Sequence, residues 1–299
     1  VPLGPSEQRI FARDRSDGRR HLYRFTGRAA GLRIPIENAQ TLELVLEQSS
    51  SQIELSNRLS IDDFAAAVAA GLLSGVLTWA IRPLLVRIAL ARPNARSSHR
   101  IPTPQGAGIA VIAATLIAAI AVIAFAGTAE MKIPVAVFGA TLFMAAVGFA
   151  DDVHSIPVVP RLLLQGLAVA AVILAAPESL RIVPGCPLWI ERGLLLLAVL
   201  WFVNLVNFMD GLDLMTVAEI VPVTGALVLL VWLAELPAPA AVAAAALFVA
   251  MLGFAPFNRP VAKIFLGDVG SLPVGLLVGW CLLQLAWHPN VVGMKDCGA

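Results

Sequence analysis

Eight long apolar runs, separated by polar segments, fill the sequence between residues 61 and 287. An α-helix needs roughly 20 apolar residues to cross the hydrocarbon layer of a membrane, and most of the runs approach that length. Backbone groups in lipid must be hydrogen-bonded within their own segment, so such runs cross as helices. The sequence therefore predicts an all-α fold, a polytopic transmembrane helical bundle of about eight spans: residues 61–90, 109–127, 133–150, 162–176, 188–209, 216–236, 238–257 and 271–287.

The composition supports a membrane protein. Hydrophobic residues make up 59% of the 299 residues, charged residues make up 14%, and the mean hydropathy is +0.84. These values lie far from those of an average soluble domain. The net charge of +1 does not indicate a nucleic-acid partner. Cys186, Cys281 and Cys297 are far apart and lack the spacing of a metal site or redox motif.

The order of the spans predicts which loops share a side of the membrane. Successive spans alternate in direction, so the loops that follow spans one, three, five and seven lie together. These loops are long and polar, whereas the opposite connections are short. Positive charge in short loops marks the cytoplasmic side, which predicts a multi-pass membrane protein whose long polar loops are cytoplasmic. The cations on that side are Arg92, Arg96, Arg100, Arg161, Arg259 and Lys263.

The two ends of the chain differ from the apolar region. Residues 1–60 are polar, with eight arginines between Arg9 and Arg33, and we expect a solvated or poorly ordered extension without an assigned role. A nucleic-acid or lipid-surface patch is the alternative for this segment. Residues 61–288 form the predicted membrane domain. Residues 289–299 are expected to be an atypical, truncated tail.

Acidic side chains follow several of the apolar runs on the predicted cytoplasmic side. Carboxylates at the end of a membrane helix are costly unless water, a cation or a partner meets them. Mg²⁺ prefers oxygen ligands and commonly combines one or two carboxylates with substrate phosphates, while basic side chains suit pyrophosphate oxygens. The pattern predicts phosphoryl or phosphosugar transfer involving a lipid, and simple helix-end acids are the alternative. The aspartates are Asp151, Asp152, Asp210, Asp213 and Asp268.

Four segments, in order along the chain, carry a resemblance to a known family: residues 93–104, 148–152, 204–213 and 257–271. The chain resembles the polyprenyl-phosphate N-acetylhexosamine-1-phosphate transferase superfamily, glycosyltransferase family 4. This superfamily includes the phospho-MurNAc-pentapeptide translocase and the enzyme that starts O-antigen and enterobacterial common antigen synthesis. The first segment is more similar to the O-antigen type. The resemblance implies Mg²⁺-dependent transfer of a HexNAc-1-phosphate from a UDP-N-acetylhexosamine to undecaprenyl phosphate, with release of UMP.

The same resemblance implies roles for individual residues. Asp151, Asp152 and Asp268 are implied to be catalytic, with Asp268 as the first Mg²⁺ ligand and Asp152 as the second. A structural role stays open for His99, and simple packing stays open for Phe265. Gln165 lies one helical turn after Arg161 and is expected to face the same cleft. The residues implied to bind the substrates are Arg96, His99, Thr103, Arg161, Asn207, Asp210, Asp213, Asn258 and Phe265.

Two departures from the family pattern keep other functions open. Leu214 follows Asp213 where the family usually has glycine, and leucine adopts a positive φ only at a cost. The histidine-containing loop that the family carries beyond the last span is not found in this sequence. A catalytically inactive fragment and a membrane transporter are therefore the alternative functions. A homodimer is also left open.

Overall fold

The computed structural model describes residues 7–13, 20–26, 34–36, 40–42, 61–91, 102–126, 132–178, 180–183, 185–232 and 236–287. The chain divides into two compact units, Val1–Asn57 and Arg58–Ala299. The division lies three residues before the start of the predicted membrane domain at residue 61. Each unit is described by itself.

The N-terminal unit contains two antiparallel strand pairs. Strand β1 (Glu7–Arg13) pairs with β2 (Arg20–Thr26), and β3 (Ile34–Ile36) pairs with β4 (Gln40–Leu42). The sequence analysis, which favoured a solvated or poorly ordered extension, did not predict these strands. In the first pair Phe11 stands opposite Leu22, so residue types that suit strands lie between the arginines.

The second unit is a bundle of membrane helices, as the sequence predicted. Among the described residues six helices are long and apolar enough to cross a membrane, and α2 and α6 contain shorter apolar stretches. The predicted run 188–209 matches α5 at both ends. A 3₁₀ turn, Ala255–Phe257, extends α7. The helices are α1 (Ile61–Ile88), α2 (Gly108–Ala126), α3 (Lys132–Val153), α4 (Val158–Ala175), α5 (Leu188–Met209), α6 (Met215–Trp232), α7 (Ala238–Phe254) and α8 (Asp268–Ala286).

Helix α8 lies at the centre of the bundle. In its apolar window 83% of the residues are buried, compared with 17% for α5. A helix that is apolar on all sides is stable when other helices surround it. The outer helices instead present large apolar side chains on the surface, including Leu163 on α4 and Phe208 on α5. These side chains lie where the lipid of the membrane surrounds the bundle.

The start of α8 packs directly against two other helix backbones. A Cβ atom on Gly148 of α3 would lie 2.2 Å from the carbonyl oxygen of Asp268. A Cβ atom on Gly108, the first residue of α2, would lie 2.1 Å from the Cα atom of Gly270. Neither position has room for a side chain, so glycine permits this backbone-to-backbone contact. The contact fixes where the first turn of α8 lies.

Short backbone pairings join the first and last loops. Strand β5 (Leu90–Ala91) pairs with β6 (Thr103–Pro104), and the chain then runs beside Phe265. The Phe265 N–H donates to the Pro104 carbonyl oxygen at 2.9 Å, and the Ala107 N–H donates to the Phe265 carbonyl oxygen at 3.1 Å. These bonds confirm the prediction that the two loops lie at the same end of the bundle.

Candidate active site

The polar loops meet where α3 and α5 end and where α8 begins. The end of α3 supplies Asp151 and Asp152, the last turn of α5 supplies Asn207, and Asp268 is the first residue of α8. Helix α4 adds Arg161 near its start. Residues separated by more than 100 positions therefore lie together, and they form a charged cluster at one end of an otherwise apolar bundle.

Arg161 joins two of the aspartates. Its Nη1 atom lies 2.7 Å from Oδ2 of Asp151 and 3.5 Å from Oδ2 of Asp268. The other Asp151 oxygen accepts a hydrogen bond from the Ile156 N–H at 2.6 Å. Charge-assisted hydrogen bonds of this kind are stronger than neutral ones. The arginine thus compensates two neighbouring carboxylates at once.

A second set of bonds orients Asp268 from the opposite direction. The Asn207 side-chain amide donates to Oδ1 of Asp268 at 2.7 Å and lies 2.9 Å from the Ser271 hydroxyl oxygen. Ser271 was not predicted as a site residue. It is three positions after Asp268 on the same helix, and residues at that spacing share a helical face. Arg161 and Asn207 therefore hold different oxygens of the same carboxylate.

Asp152 and Asp210 bond to backbone amides. Asp152 accepts from the N–H groups of Asp268 and Val269, each at 3.0 Å. Asp210 accepts from the Gly267 N–H at 2.8 Å and from the Thr216 hydroxyl at 2.9 Å. Burial raises the pKa of the Asp210 carboxyl, and these hydrogen bonds oppose that shift because they favour the ionised form.

The side chain of Asn258 links two backbone segments of the protein. Its side chain is 2% exposed, its Nδ2 donates to the Ile264 carbonyl oxygen at 3.0 Å, and its Oδ1 accepts from the Leu214 N–H at 2.8 Å. Contact with a nucleotide would require these bonds to open. Leu214 has a φ of 59°. A positive φ is what the glycine usual at this position in the family would adopt easily. The bonds from Asn258 support that strained backbone.

The other predicted residues fall into three groups. Thr103 and Phe265 are buried, and Asp213 is half-buried in the turn after α5. Arg96 and His99 lie outside the described residues. Gln165 is fully buried and accepts a hydrogen bond from Asn204 of α5 at 2.8 Å. The substrate-binding roles of the predicted residues stay predictions.

The cluster fits a cation only with help from a ligand. In the described part of the chain, no three His, Cys, Asp or Glu residues are grouped closely enough to hold a metal ion. Mg²⁺ is often bound by one or two carboxylates together with substrate phosphates, which suits Asp268. Both oxygens of Asp152 accept from backbone amides, and those of Asp151 are bonded to the Ile156 N–H and to Arg161. Asp268 is the stronger candidate, because its Oδ2 lies 3.5 Å from Arg161, farther than the Asp151 oxygen.

Comparison with known proteins agrees with this arrangement. The sequence profile described as "Glycosyl transferase family 4" matches residues 134–286, about half of the chain and most of the cluster. A phospho-N-acetylmuramoyl-pentapeptide-transferase of Shouchella clausii is 32% identical over 192 residues, which is 58% of each chain. The chain therefore spans less than two thirds of that relative's length.

Two further relatives match a larger share of this chain. A phospho-N-acetylmuramoyl-pentapeptide-transferase of Lactiplantibacillus plantarum is 29% identical and covers 69% of this chain and 72% of its own length. A decaprenyl-phosphate N-acetylglucosaminephosphotransferase of Mycolicibacterium smegmatis is 29% identical and covers 76% of this chain and 62% of its own length. With its helical bundle and the matching residues 134–286, the chain belongs to glycosyl transferase family 4.

Proposed function

We propose that this chain transfers a HexNAc-1-phosphate from a UDP-sugar to undecaprenyl phosphate and releases UMP, as the first step of a cell-surface polysaccharide. The observation that carries the proposal is the Asp151–Arg161–Asp268 contact at the end of a membrane bundle of glycosyl transferase family 4. Such a site can receive an anionic nucleotide from water and a phosphate that belongs to a lipid.

The charges of the cluster support a pyrophosphate substrate with its cation. Asp268 would hold Mg²⁺, and the ion would supply neutralisation of the charge on the phosphates. Arg161 contributes a donor of its own. Its Nε atom is buried and has no hydrogen-bond partner among the described residues, although Nη1 is engaged by Asp151. A buried donor without a partner is costly, and a phosphate oxygen would satisfy it.

The reaction needs little covalent chemistry from the protein. A phosphate oxygen of the lipid bonds to the sugar-linked phosphorus of the UDP-sugar. The bond from that phosphorus to the bridging oxygen breaks, and UMP leaves with the bridging oxygen. Asp151 accepts the proton of the lipid phosphate where that phosphate arrives protonated. Arg161 and Asn207 keep the reacting groups aligned, which is the main contribution of a protein to phosphoryl transfer.

The finer assignments rest on the sequence. The same-side loops carry the cations, which favours the cytoplasmic face of the inner membrane. The motif at residues 93–99 favours the O-antigen type, and hence a UDP-N-acetylhexosamine. Among the relatives described above, one name contains N-acetylglucosamine and two contain phospho-N-acetylmuramoyl-pentapeptide. The sugar is therefore the first quantity to measure.

The test is transfer by the purified chain in lipid nanodiscs that contain undecaprenyl phosphate. UDP-N-acetylglucosamine, UDP-N-acetylgalactosamine and UDP-MurNAc-pentapeptide are each supplied with a radiolabelled sugar and Mg²⁺. We expect labelled lipid and UMP in equal amounts from one of them, and neither product after EDTA treatment. A folded chain that releases no UMP from any of the three would favour the inactive fragment. Uptake of the label into sealed vesicles without UMP release would favour the transporter.

A further inference from the structure

We propose that Asp152 and Asp210 are positioning residues that anchor the first backbone amides of α8 and so place the carboxylate of Asp268. On this proposal neither residue binds the metal ion or the substrates. The effect on transfer rests on the proposed function, whereas the anchoring itself does not. The proposal separates two adjacent acids, because Asp151 faces Arg161 and Asp152 faces the backbone of α8.

The first amides of α8 are bonded to these two carboxylates. The first N–H groups of any helix lack partners within the helix. Here the Gly267 N–H donates to Asp210 at 2.8 Å, and the Asp268 and Val269 N–H groups donate to the two oxygens of Asp152 at 3.0 Å. The next amide, that of Gly270, donates to the Gly267 carbonyl oxygen at 2.9 Å. Four successive amides are thereby satisfied.

The anchors come from outside α8. The residue at the N-terminal cap of α8 is Gly267, which has no side chain to accept a hydrogen bond. Asp152 belongs to the end of α3, and Asp210 directly follows α5. A carboxylate at a helix N-terminus is favoured by the helix dipole as well as by the hydrogen bonds. The two acids therefore tie the ends of α3 and α5 to the start of α8.

The local backbone is shaped to receive Asp152. Gly267 has φ of 76°, and a Cβ atom there would lie 2.7 Å from Oδ2 of Asp152 and 2.8 Å from the Gly106 amide nitrogen. The carboxylate thus packs directly against the backbone of Gly267. This contact and the two amide bonds account for both Asp152 oxygens, and they explain why glycine precedes Asp268.

The two members of the Asp151–Asp152 pair point in different directions. Consecutive residues of an α-helix are rotated by about 100° around its axis. The two side chains therefore leave α3 in different directions, Asp151 toward Arg161 and Asp152 toward the α8 backbone. Both Asp152 oxygens accept from backbone amides, whereas the Asp268 oxygens face the side chains of Asn207 and Arg161, with Oδ2 3.5 Å from the arginine.

The central variants are Asp152→Asn and Asp268→Asn in the full chain. Asparagine keeps the shape of aspartate but has a single acceptor oxygen, so Asp152→Asn can keep one of the two amide bonds. We expect amide hydrogen exchange at residues 267–269 to become about tenfold faster and kcat to fall about 10- to 100-fold. The Mg²⁺ concentration for half-maximal transfer stays within about twofold of wild type.

Asp268→Asn gives the opposite pattern. Its side chain accepts no bond from the amides of residues 267–269, so exchange there stays at the wild-type rate while transfer is lost. Asp210→Asn should be milder than Asp152→Asn, because the Thr216 hydroxyl can reverse from donor to acceptor and one oxygen still meets the Gly267 amide. Exposed Glu178→Gln serves as the control for loss of one negative charge and leaves both readouts unchanged.

Two results would overturn the proposal. A rise of more than about tenfold in the Mg²⁺ requirement of Asp152→Asn, with unchanged amide exchange, would make Asp152 a metal ligand. Faster exchange with an unchanged kcat would show that the anchors do not place Asp268. The exchange experiment needs no substrate, so a wild-type chain that transfers nothing would defeat the proposed function while the anchoring is still measured.

Discussion

Two clusters of charged side chains, at opposite ends of the helical bundle, differ in how their charges are paired. At the site end, Arg161 contacts Asp151 and Asp268, while Asp152 and Asp210 accept hydrogen bonds from the backbone at the start of α8. At the far end, where α4 ends and α5 begins, Arg181 and Arg192 lie beside Glu191. In the first cluster a single arginine, Arg161, faces the two carboxylates of Asp151 and Asp268. In the second cluster Glu191 is paired with Arg181.

The far end is closed by its own hydrogen bonds. Arg181 donates to Oε2 of Glu191 at 2.6 Å, and the Ile182 N–H donates to Oε1 at 2.7 Å. Arg192 donates to the Ile173 carbonyl oxygen at 2.9 Å, near the end of α4, and its guanidinium lies 5.6 Å from the centre of the Trp287 ring. Cations are favoured at helix C-termini and over aromatic faces. Arg181, Glu191 and Arg192 therefore each have a partner in the protein, which is typical of a structural cluster.

The comparison of the two clusters suggests a way to tell a structural charged cluster from a functional one within the same bundle. Charged groups that are fully matched within the protein contribute to stability. Charged groups that are not fully paired within the protein are candidates for binding a ligand. Nε of Arg161 is such a group, because it has no hydrogen-bond partner among the described residues. Substitutions at the site end should therefore reduce transfer, and substitutions at the far end should reduce stability.

The largest effect is expected for Asp268→Asn and Asp151→Asn. Transfer of radiolabelled HexNAc-1-phosphate to lipid should fall by about 100- to 1,000-fold in each, because Asp268 would no longer hold the ion and Asp151 would no longer accept the proton. The unfolding midpoint in detergent should stay near wild type. Wild-type transfer by both variants would remove the site assignment.

Arg161→Lys should have the next largest effect. Lysine keeps the charge but lacks the planar fork with which arginine can serve two carboxylates and a phosphate together. We expect kcat to fall about 10- to 100-fold, and Arg161→Ala to be more severe. The measurement is steady-state transfer with both substrates varied. Equal rates for lysine and arginine at this position would mean that only the point charge matters.

Glu191→Gln tests the far end. Loss of this carboxylate leaves the Arg181 guanidinium, which is mostly buried, without its counter-charge. The free energy of unfolding should fall by about 2–4 kcal/mol, measured by chemical denaturation in mixed micelles. Transfer per folded molecule should be unchanged, with Glu178→Gln as the exposed control. A large loss of kcat at full stability would show that the two ends are coupled.

The smallest effect concerns the backbone next to the site end. Leu214 has a positive φ, which costs a residue with a Cβ atom roughly 1–2 kcal/mol. Leu214→Gly and Leu214→Ala both lose the leucine packing, but only glycine is free of the backbone strain. The glycine variant should therefore be more stable than the alanine variant by about 1 kcal/mol. The reverse order, which is normal within helices, would contradict the strained geometry.

The sequence predicted the bundle because apolar length is a local property. The runs end close to the observed helices, and counting spans placed the polar loops together. Leu214 could be located as an anomaly, because a positive φ is a local demand on one residue. The strand pairs of residues 7–42 were missed, because a high density of arginine hid residue types that suit strands.

Roles that depend on distant partners could not be predicted. The neighbouring sequence does not distinguish Asp151 from Asp152, because the two residues differ in the distant groups that they contact. Asp152 accepts hydrogen bonds from backbone amides 116 and 117 positions away. Asn258, which the resemblance implies to bind a substrate, accepts a hydrogen bond from a backbone amide 44 positions earlier, and its local sequence does not indicate that partner. The family resemblance transfers residue identity between proteins. It does not transfer which atom meets which.

The contact of Gly108 and Gly148 with the first turn of α8 has a consequence for engineering this protein. These two residues contribute no functional group, yet neither position has room for the methyl group of an alanine. An alanine at either position would push the helix that begins with Asp268 away from Arg161 while every charged side chain is kept. Activity could thus be lost from a sequence in which all the recognisable motif acids are intact.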